Sequence, residues 1–199
     1  MRKIVVLEFV TMDGVMQAPG GPEEDVAAKF AFGGWQAPFM DDDVADKVTG
    51  PALQADVEFL LGGRTFEIWS DYWPKHGDVW PYINDNMKYV LTRTKTETDW
   101  QNTTFVHGVD DIQKLKESDG PDLHVWGSSQ LVQLLLANDL VDELHLMTYP
   151  IILGQGKKLF ADGAAPRTFT LTQGLVGKSG VIAAGYQRAG EVQTGTVGD

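Results

Sequence analysis

The chain has 199 residues, 43% of them apolar, which suits one domain with a real core and argues against a disordered polymer. It has no cysteine, which excludes disulfides, thiolate zinc sites and cysteine nucleophiles. A formal net charge of −12 disfavours nucleic acid and anionic membrane surfaces, and no run of 18 apolar residues exists to span a bilayer.

In chain order, residues 3–11 are nearly all apolar and predict a buried central strand. The apolar stretch is short and meets Glu8, so the start reads as a strand and not as a signal peptide, and the cysteine-free composition fits the expected cytoplasmic location. Thr11-Met12-Asp13-Gly14 breaks the run, and Pro19-Gly20-Gly21-Pro22 ends regular structure. Glu23–Phe32 has helical composition, and Gly33–Phe39 is loop. Asp41-Asp42-Asp43 starts a helix that stops near Gly50-Pro51, followed by a short turn or helix over Ala52–Asp56. Val57–Leu61 is a strand, Arg64–Trp69 a short helix, and Ser70–Pro81 an irregular surface segment. Met87–Thr92 and Thr103–Val106 are strands, Asp110–Ser118 a helix, and Leu123–Trp126 a strand. Ser128–Asn138 is the best helix, with Leu131, Leu134 and Leu135 on one face. Glu143–Tyr149, Thr168–Gln173 and Val181–Gln187 are strands, the last two a closing antiparallel pair. Residues 1–189 form the expected domain, and 190–199 a flexible tail.

The order predicts an α/β fold: a mixed, mostly parallel central sheet flanked by helices, with an antiparallel C-terminal edge. Two strand–glycine–helix turns stand out within it, Leu60–Glu67 and Val125–Leu131. Glycine lets a ligand approach the main chain, and a helix start offers unpaired N–H donors and partial positive charge. The pair Gly62-Gly63-Arg64-Thr65 and Gly127-Ser128-Ser129-Gln130-Leu131 is therefore a candidate grip for the two phosphates of a dinucleotide. Arg64 and Arg93 are the candidate cations; Arg64 alternatively pairs with Glu67 at i+3.

Other motifs carry less. Asp13-Gly14 is a turn, a holder of the loop, or the place of a proton donor. Trp35, Phe39 and Trp69 are packing residues singly, and together suggest a slot for a flat heterocycle. Glu143 and His145 share a strand face, but two ligands do not make a metal site, and no metal is expected. G-x-S-x-G is absent, and Gly154-Gln155-Gly156-Lys157-Lys158 lacks the P-loop spacing.

Over residues 3–188 the chain resembles the reductase domain of the riboflavin-biosynthesis deaminase–reductase family, which has the dihydrofolate reductase fold. The resemblance rests on Thr11-Met12-Asp13-Gly14, Leu60–Glu67, Lys88–Thr94, Gly127–Leu131, Leu140–Leu144 and Pro150–Gly156. It implies a NADPH-dependent reductase, with NADH possible, and a homodimer. It further implies that the two glycine turns hold the pyrophosphate, that the loop after strand one, with Asp13 and Gly14, covers the nicotinamide, and that Thr92 and Arg93 approach the adenosine. Relatives carry a basic residue where this chain has Gly63, and often three glycines where it has Gly127-Ser128-Ser129. The family's deaminase zinc motif needs cysteines, so a stand-alone reductase-type domain is expected. Its acceptor would be a small conjugated heterocycle of pterin, folate or pyrimidine type. The alternative is a non-catalytic nucleotide- or heterocycle-binding protein on the same fold.

Overall fold

The computed structural model describes residues 1–54, 56–80, 82–160 and 162–198, with the backbone alone at Gln54. Among them, eight strands form one sheet: β1 (Ile4–Thr11), β2 (Glu58–Gly62), β3 (Lys88–Leu91), β4 (Thr103–Val106), β5 (Leu123–Val125), β6 (Glu143–Tyr149), β7 (Thr168–Val176) and β8 (Ile182–Gly190). The spatial order is β4-β3-β2-β5-β1-β6-β8-β7. Every pairing from β4 to β6 is parallel, and β8 joins β6 and β7 antiparallel. This is the mixed α/β architecture expected from the sequence. β1 is apolar almost throughout because it lies between β5 and β6 with both faces covered.

The helical elements are α1 (Asp42–Val44), a π-helical turn (Ala45–Thr49), α2 (Gly50–Gln54), α3 (Gly63–Tyr72), α4 (Val109–Glu117) and α5 (Ser129–Ala137). Single 3-10 turns lie at Ala27–Lys29, Ala37–Phe39 and Trp73–Lys75. One sheet face carries Ile4, Val6, Leu60 and Val125 against Ile112 of α4 and Leu131, Val132 and Leu135 of α5. The other face carries two clusters. Trp35 and Val44 cover Met147 and Tyr149 of β6 and Ala183 of β8, and Phe66, Trp80 and Trp100 cover Phe59 and Leu61 of β2 and Val90 of β3. None of the described helices is long and apolar enough to cross a membrane.

Three expectations are corrected. Glu23–Phe32 is not a helix: only Ala27–Lys29 makes a 3-10 turn, and Ala28 and Lys29 take φ of 55° and 57°. Left-handed conformations at two consecutive residues cannot continue a right-handed helix. The short helix at Arg64–Trp69 runs on to Tyr72. That turns Ser70–Tyr72 and Trp73–Lys75 helical where an irregular surface was expected, and Trp80, only 3% exposed, is core. Finally, β7 and β8 each extend to a ninth residue, so β8 takes in Gly190 of the expected tail. Ala55, Pro81 and Asp199, which fall within expected segments, lie outside the described residues.

Candidate functional site

Parallel pairing puts the C-terminal ends of β2, β5 and β1 side by side at one edge of the sheet. Ligands of open α/β sheets bind beyond such ends. Both glycine turns are there, and they face each other. The Gly62 N–H donates to the Gly127 carbonyl at 3.3 Å. A Cβ on Gly62 would overlap the Ser128 hydroxyl and lie 3.0 Å from the Ser128 nitrogen. A Cβ on Gly127, which has φ of 99°, would lie 2.7 Å from Thr65 Oγ1. Only glycine permits this closeness on both sides.

Each turn opens a helix. Gly62 and Ser128 are the N-cap residues of α3 and α5, and no described side chain caps either helix. The Ser128 hydroxyl stands at the cap position but lies against Gly62 instead. First-turn amides of both helices are thus left to a ligand or to water. Ser129 is buried, Gln130 is exposed, and the Leu131 side chain is in the α5 core, so Leu131 has only its backbone to offer. Gly63 packs under the Leu91 carbonyl at the end of β3, at 3.6 Å from a Cβ position.

Thr92 follows β3 directly. Its hydroxyl accepts from the amides of Thr94 and Lys95 at 3.4 and 3.3 Å, which curls the chain and leaves Arg93 exposed. Arg64 reaches both Glu67 (3.5 Å) and Asp25 (3.4 Å). The pairing with Glu67 read from the sequence is present, and Asp25 is an additional partner from outside the helix.

Asp13 stands near the start of the loop that follows β1. Its carboxylate accepts from Thr11 Oγ1 (2.6 Å), from the Gly154 amide (2.8 Å) and from the Leu153 amide (3.2 Å). Burial alone would raise its pKa, but these bonds together hold it below the ordinary carboxylate range. The bonded carboxylate ties the loop after β1 to residues 153–154. Gly14, with φ of 79°, makes the turn that this anchoring requires.

The aromatic residues do not form one slot. Trp35 and Phe39 meet at Tyr149, with ring centroids 5.2 and 6.1 Å away, whereas Trp69 packs on Trp80 at 5.3 Å. Residues that sequence reasoning missed join the two groups. Phe9 contacts Tyr149 (6.2 Å) and Trp126 (6.0 Å), and Trp126 contacts Trp80 (5.6 Å). A continuous aromatic row therefore crosses the sheet face just beneath the two turns. The Trp126 Nε1, buried in that row, meets no partner among the described residues. Trp126 was legible in principle, since it directly precedes Gly127.

Glu8 was also missed. It lies on β1, two residues beyond Val6, which pairs with Val125 of β5. That register places it level with Gly127. It is 5% exposed, and its Oε1 has no partner among the described residues. Burial pushes its pKa well up, and the Gly127 amide offsets this only in part. A charged residue inside an apolar strand was the available signal.

Residues 2–183 match the family model described as the RibD C-terminal domain, and the chain belongs to that family. It is 31% identical over 169 residues to the uncharacterized protein YyaP of Bacillus subtilis, covering 81% of each chain. It is 26% identical over 161 residues to the uncharacterized protein YwjB of the same organism, covering 80% of this chain and 83% of that one. Among solved structures it is similar to a Shewanella sp. PV-4 protein provisionally named for riboflavin biosynthesis. That match has a TM-score of 0.73 at 21% identity and covers 95% and 99% of the two chains. It is also similar to dihydrofolate reductase from Enterococcus faecalis, with a TM-score of 0.59 at 14% identity over 94% and 96%. The fold is that of dihydrofolate reductase, and the family is of reductase type.

Proposed function

We propose that this protein is a NAD(P)H-dependent reductase that passes a hydride to a small conjugated heterocycle of pterin, folate or pyrimidine type. The observation that carries this reading is the pair of uncapped helix starts, α3 and α5, brought together at Gly62 and Gly127. The residues present fit a cofactor of this type, because the starts of α3 and α5 stand side by side and no described side chain caps either. The E. faecalis dihydrofolate reductase structure is a complex with NADP(H), which supports a cofactor of that type.

In this reading Gly62, Gly63, Thr65, Gly127, Ser128, Ser129 and Gln130 hold the pyrophosphate through backbone and hydroxyl donors. Arg64 adds charge, Leu131 contributes main chain only, and Thr92 and Arg93 flank the adenosine. The bound cofactor supplies the hydride. The protein's part is positioning: Asp13 and Gly14 set the loop over the site, and the aromatic row of Phe9, Trp126 and Tyr149 walls the place of a flat acceptor. Residues 1–189 act as one domain, in a cytoplasmic homodimer.

Titration with NADPH and with NADH, followed by tryptophan fluorescence, tests the reading, since Trp126 adjoins Gly127. Quenching by neither at millimolar concentration removes it. A second reading, a binding protein without turnover, is favoured by the Ser128 hydroxyl lodged against Gly62, which narrows the gap. Binding without oxidation of the cofactor across a panel of pterins, folates and pyrimidines would select it.

A further inference from the structure

The tryptophans of the aromatic row are held in different ways. The Trp35 Nε1 donates to the Gln17 carbonyl and the Trp80 Nε1 to the Leu53 carbonyl, both at 2.8 Å. The Trp126 Nε1 is buried, but it meets no acceptor among the described residues. An indole N–H can only donate, so what completes it is an acceptor. A buried donor left unpaired costs free energy that a ligand oxygen can give back.

Its place singles this donor out. Trp126 directly precedes Gly127, so it stands on the sheet face beside the paired turns. Phe9 and Trp80, with ring centroids 6.0 and 5.6 Å away, flank the indole and fix its tilt. Trp126, Phe9 and Phe39 are each half-buried, so the row is open along one side. We propose that Trp126 chooses the acceptor: its indole N–H bonds a ring carbonyl oxygen, so a neutral ring that carries this oxygen is taken and one with an amino group in its place is refused.

The row offers nothing to a charged ring. Among the described residues, cations stand over Tyr89, Trp100 and Phe66, and none of these belongs to the row. Asp41, which follows Phe39 and Met40, is taken up by the amides of Val44 and Ser179 at 3.2 and 2.8 Å. Glu8 precedes Phe9 on β1 and so faces the other side of the sheet. His124, two residues before Trp126 and on the same face, is kept neutral by burial, which lowers its pKa to about 4. The Tyr149 hydroxyl already accepts from Gln36 Nε2 at 2.8 Å. An amino group in place of the ring oxygen would set donor against donor at Trp126. It also makes the ring more basic, and a protonated ring would meet no carboxylate here.

Trp126 has this part within the reductase reading, on which the assignment rests, and one set of titrations separates the two. Pterin and its diamino analogue differ only in an amino group that replaces the ring oxygen. Calorimetric titration of the NADPH-loaded protein should show pterin binding roughly tenfold tighter or more. The indole N–H resonances of the six tryptophans give a second readout. The Trp126 resonance, identified by its loss in Trp126→Phe or Trp126→Tyr, should move downfield with pterin and stay in place with the diamino ring. Trp126→Phe keeps an aromatic ring without the donor, and should bring the two affinities to within about threefold of each other. Equal or tighter binding of the diamino ring overturns the proposal, as does a Trp126 resonance that ignores pterin, a preference unchanged in Trp126→Phe, or binding of neither ring. Should the wild type bind neither NADPH nor NADH, the cofactor reading fails by itself, and the two rings are titrated into the protein alone. A preference for pterin with the same Trp126 shift then upholds the assignment; no preference overturns it.

Discussion

The two ends of the parallel sheet are built on opposite terms. At the N-terminal ends, buried charges are matched. Arg2 bonds Glu58 and the Pro121 carbonyl, and Lys116 bonds Asp142, which also takes the Ile4 amide at 2.8 Å. Lys88 is completely buried, yet its ammonium donates to the carbonyls of Ile83, Asn84 and Asn86 at 2.9, 3.1 and 2.7 Å. It also lies 4.6 Å from the centre of the Trp100 ring. Among the described residues, the Asn86 Nδ2 and, on β5 level with Val5 and Phe59, the His124 Nδ1 are left over there. At the C-terminal ends, Glu8 Oε1 and Trp126 Nε1 lack partners and two helix starts lack caps among the described residues. The bonded charges of one end and the uncapped helix starts of the other separate a scaffold end from a working end. Buried polar groups are ordinarily bonded, and those that are not mark places where stability was given up.

The largest effect should come from breaking the matched end. Lys88→Met keeps the side-chain volume but strands three buried carbonyls, and should cost roughly 3–5 kcal/mol in urea unfolding. A loss under about 1 kcal/mol would mean that the three bonds are not what holds the loop at 83–86. At the same end sits His124, buried on β5, whose pKa is lowered by burial to about 4. From pH 6.5 down to about 4 the unfolded chain binds a proton that the folded chain refuses, so stability falls as the pH falls. The loss through this window should approach roughly 3 kcal/mol and be missing from the acid limb of His124→Gln.

At the working end, Gly62→Ala would force the turns apart. We expect a loss of about 2 kcal/mol and at least roughly tenfold weaker cofactor binding, with Ser128→Gly restoring part of both in the double variant. Strictly additive effects in that cycle would deny the contact between the turns. The smallest change should be a gain. Glu8 keeps its proton in the folded state above pH 4.5, where the unfolded chain has lost it, so its contribution declines as pH rises. Glu8→Gln should therefore stabilise the protein at pH 8 by about 1–2 kcal/mol and match wild type below pH 4.5. Equal stability of the two at pH 8 would place Glu8 in a solvated setting.

Much of the frame was legible because it is local. β1 announces itself as an unbroken apolar run, and the two turns as glycine between strand and helix. What sequence missed is what depends on distant partners. The 23–32 stretch has helical composition, but its Asp25 answers to Lys157 across 132 positions, and no local rule anticipates that. Trp80 sits among prolines and polar residues that suggest surface, and becomes core because Phe59, Trp69 and Trp126 close around it. Asp13 was recognised as a special position, but its partners at 153 and 154 decide that it anchors the loop. The aromatic positions Trp35, Phe39 and Trp69 were seen, while the order linking them through Phe9 was not.

The central place of β1 has a consequence for how the chain is made. Ile4 pairs with Leu123 and Val5 with Glu143, so β1 waits for partners that are synthesised 119 and 138 residues later. Until then its apolar edges stay open to wrong pairings and to chaperones. Folding should be slow for the chain's size, and fragments ending before Tyr149 should aggregate instead of assembling half a sheet.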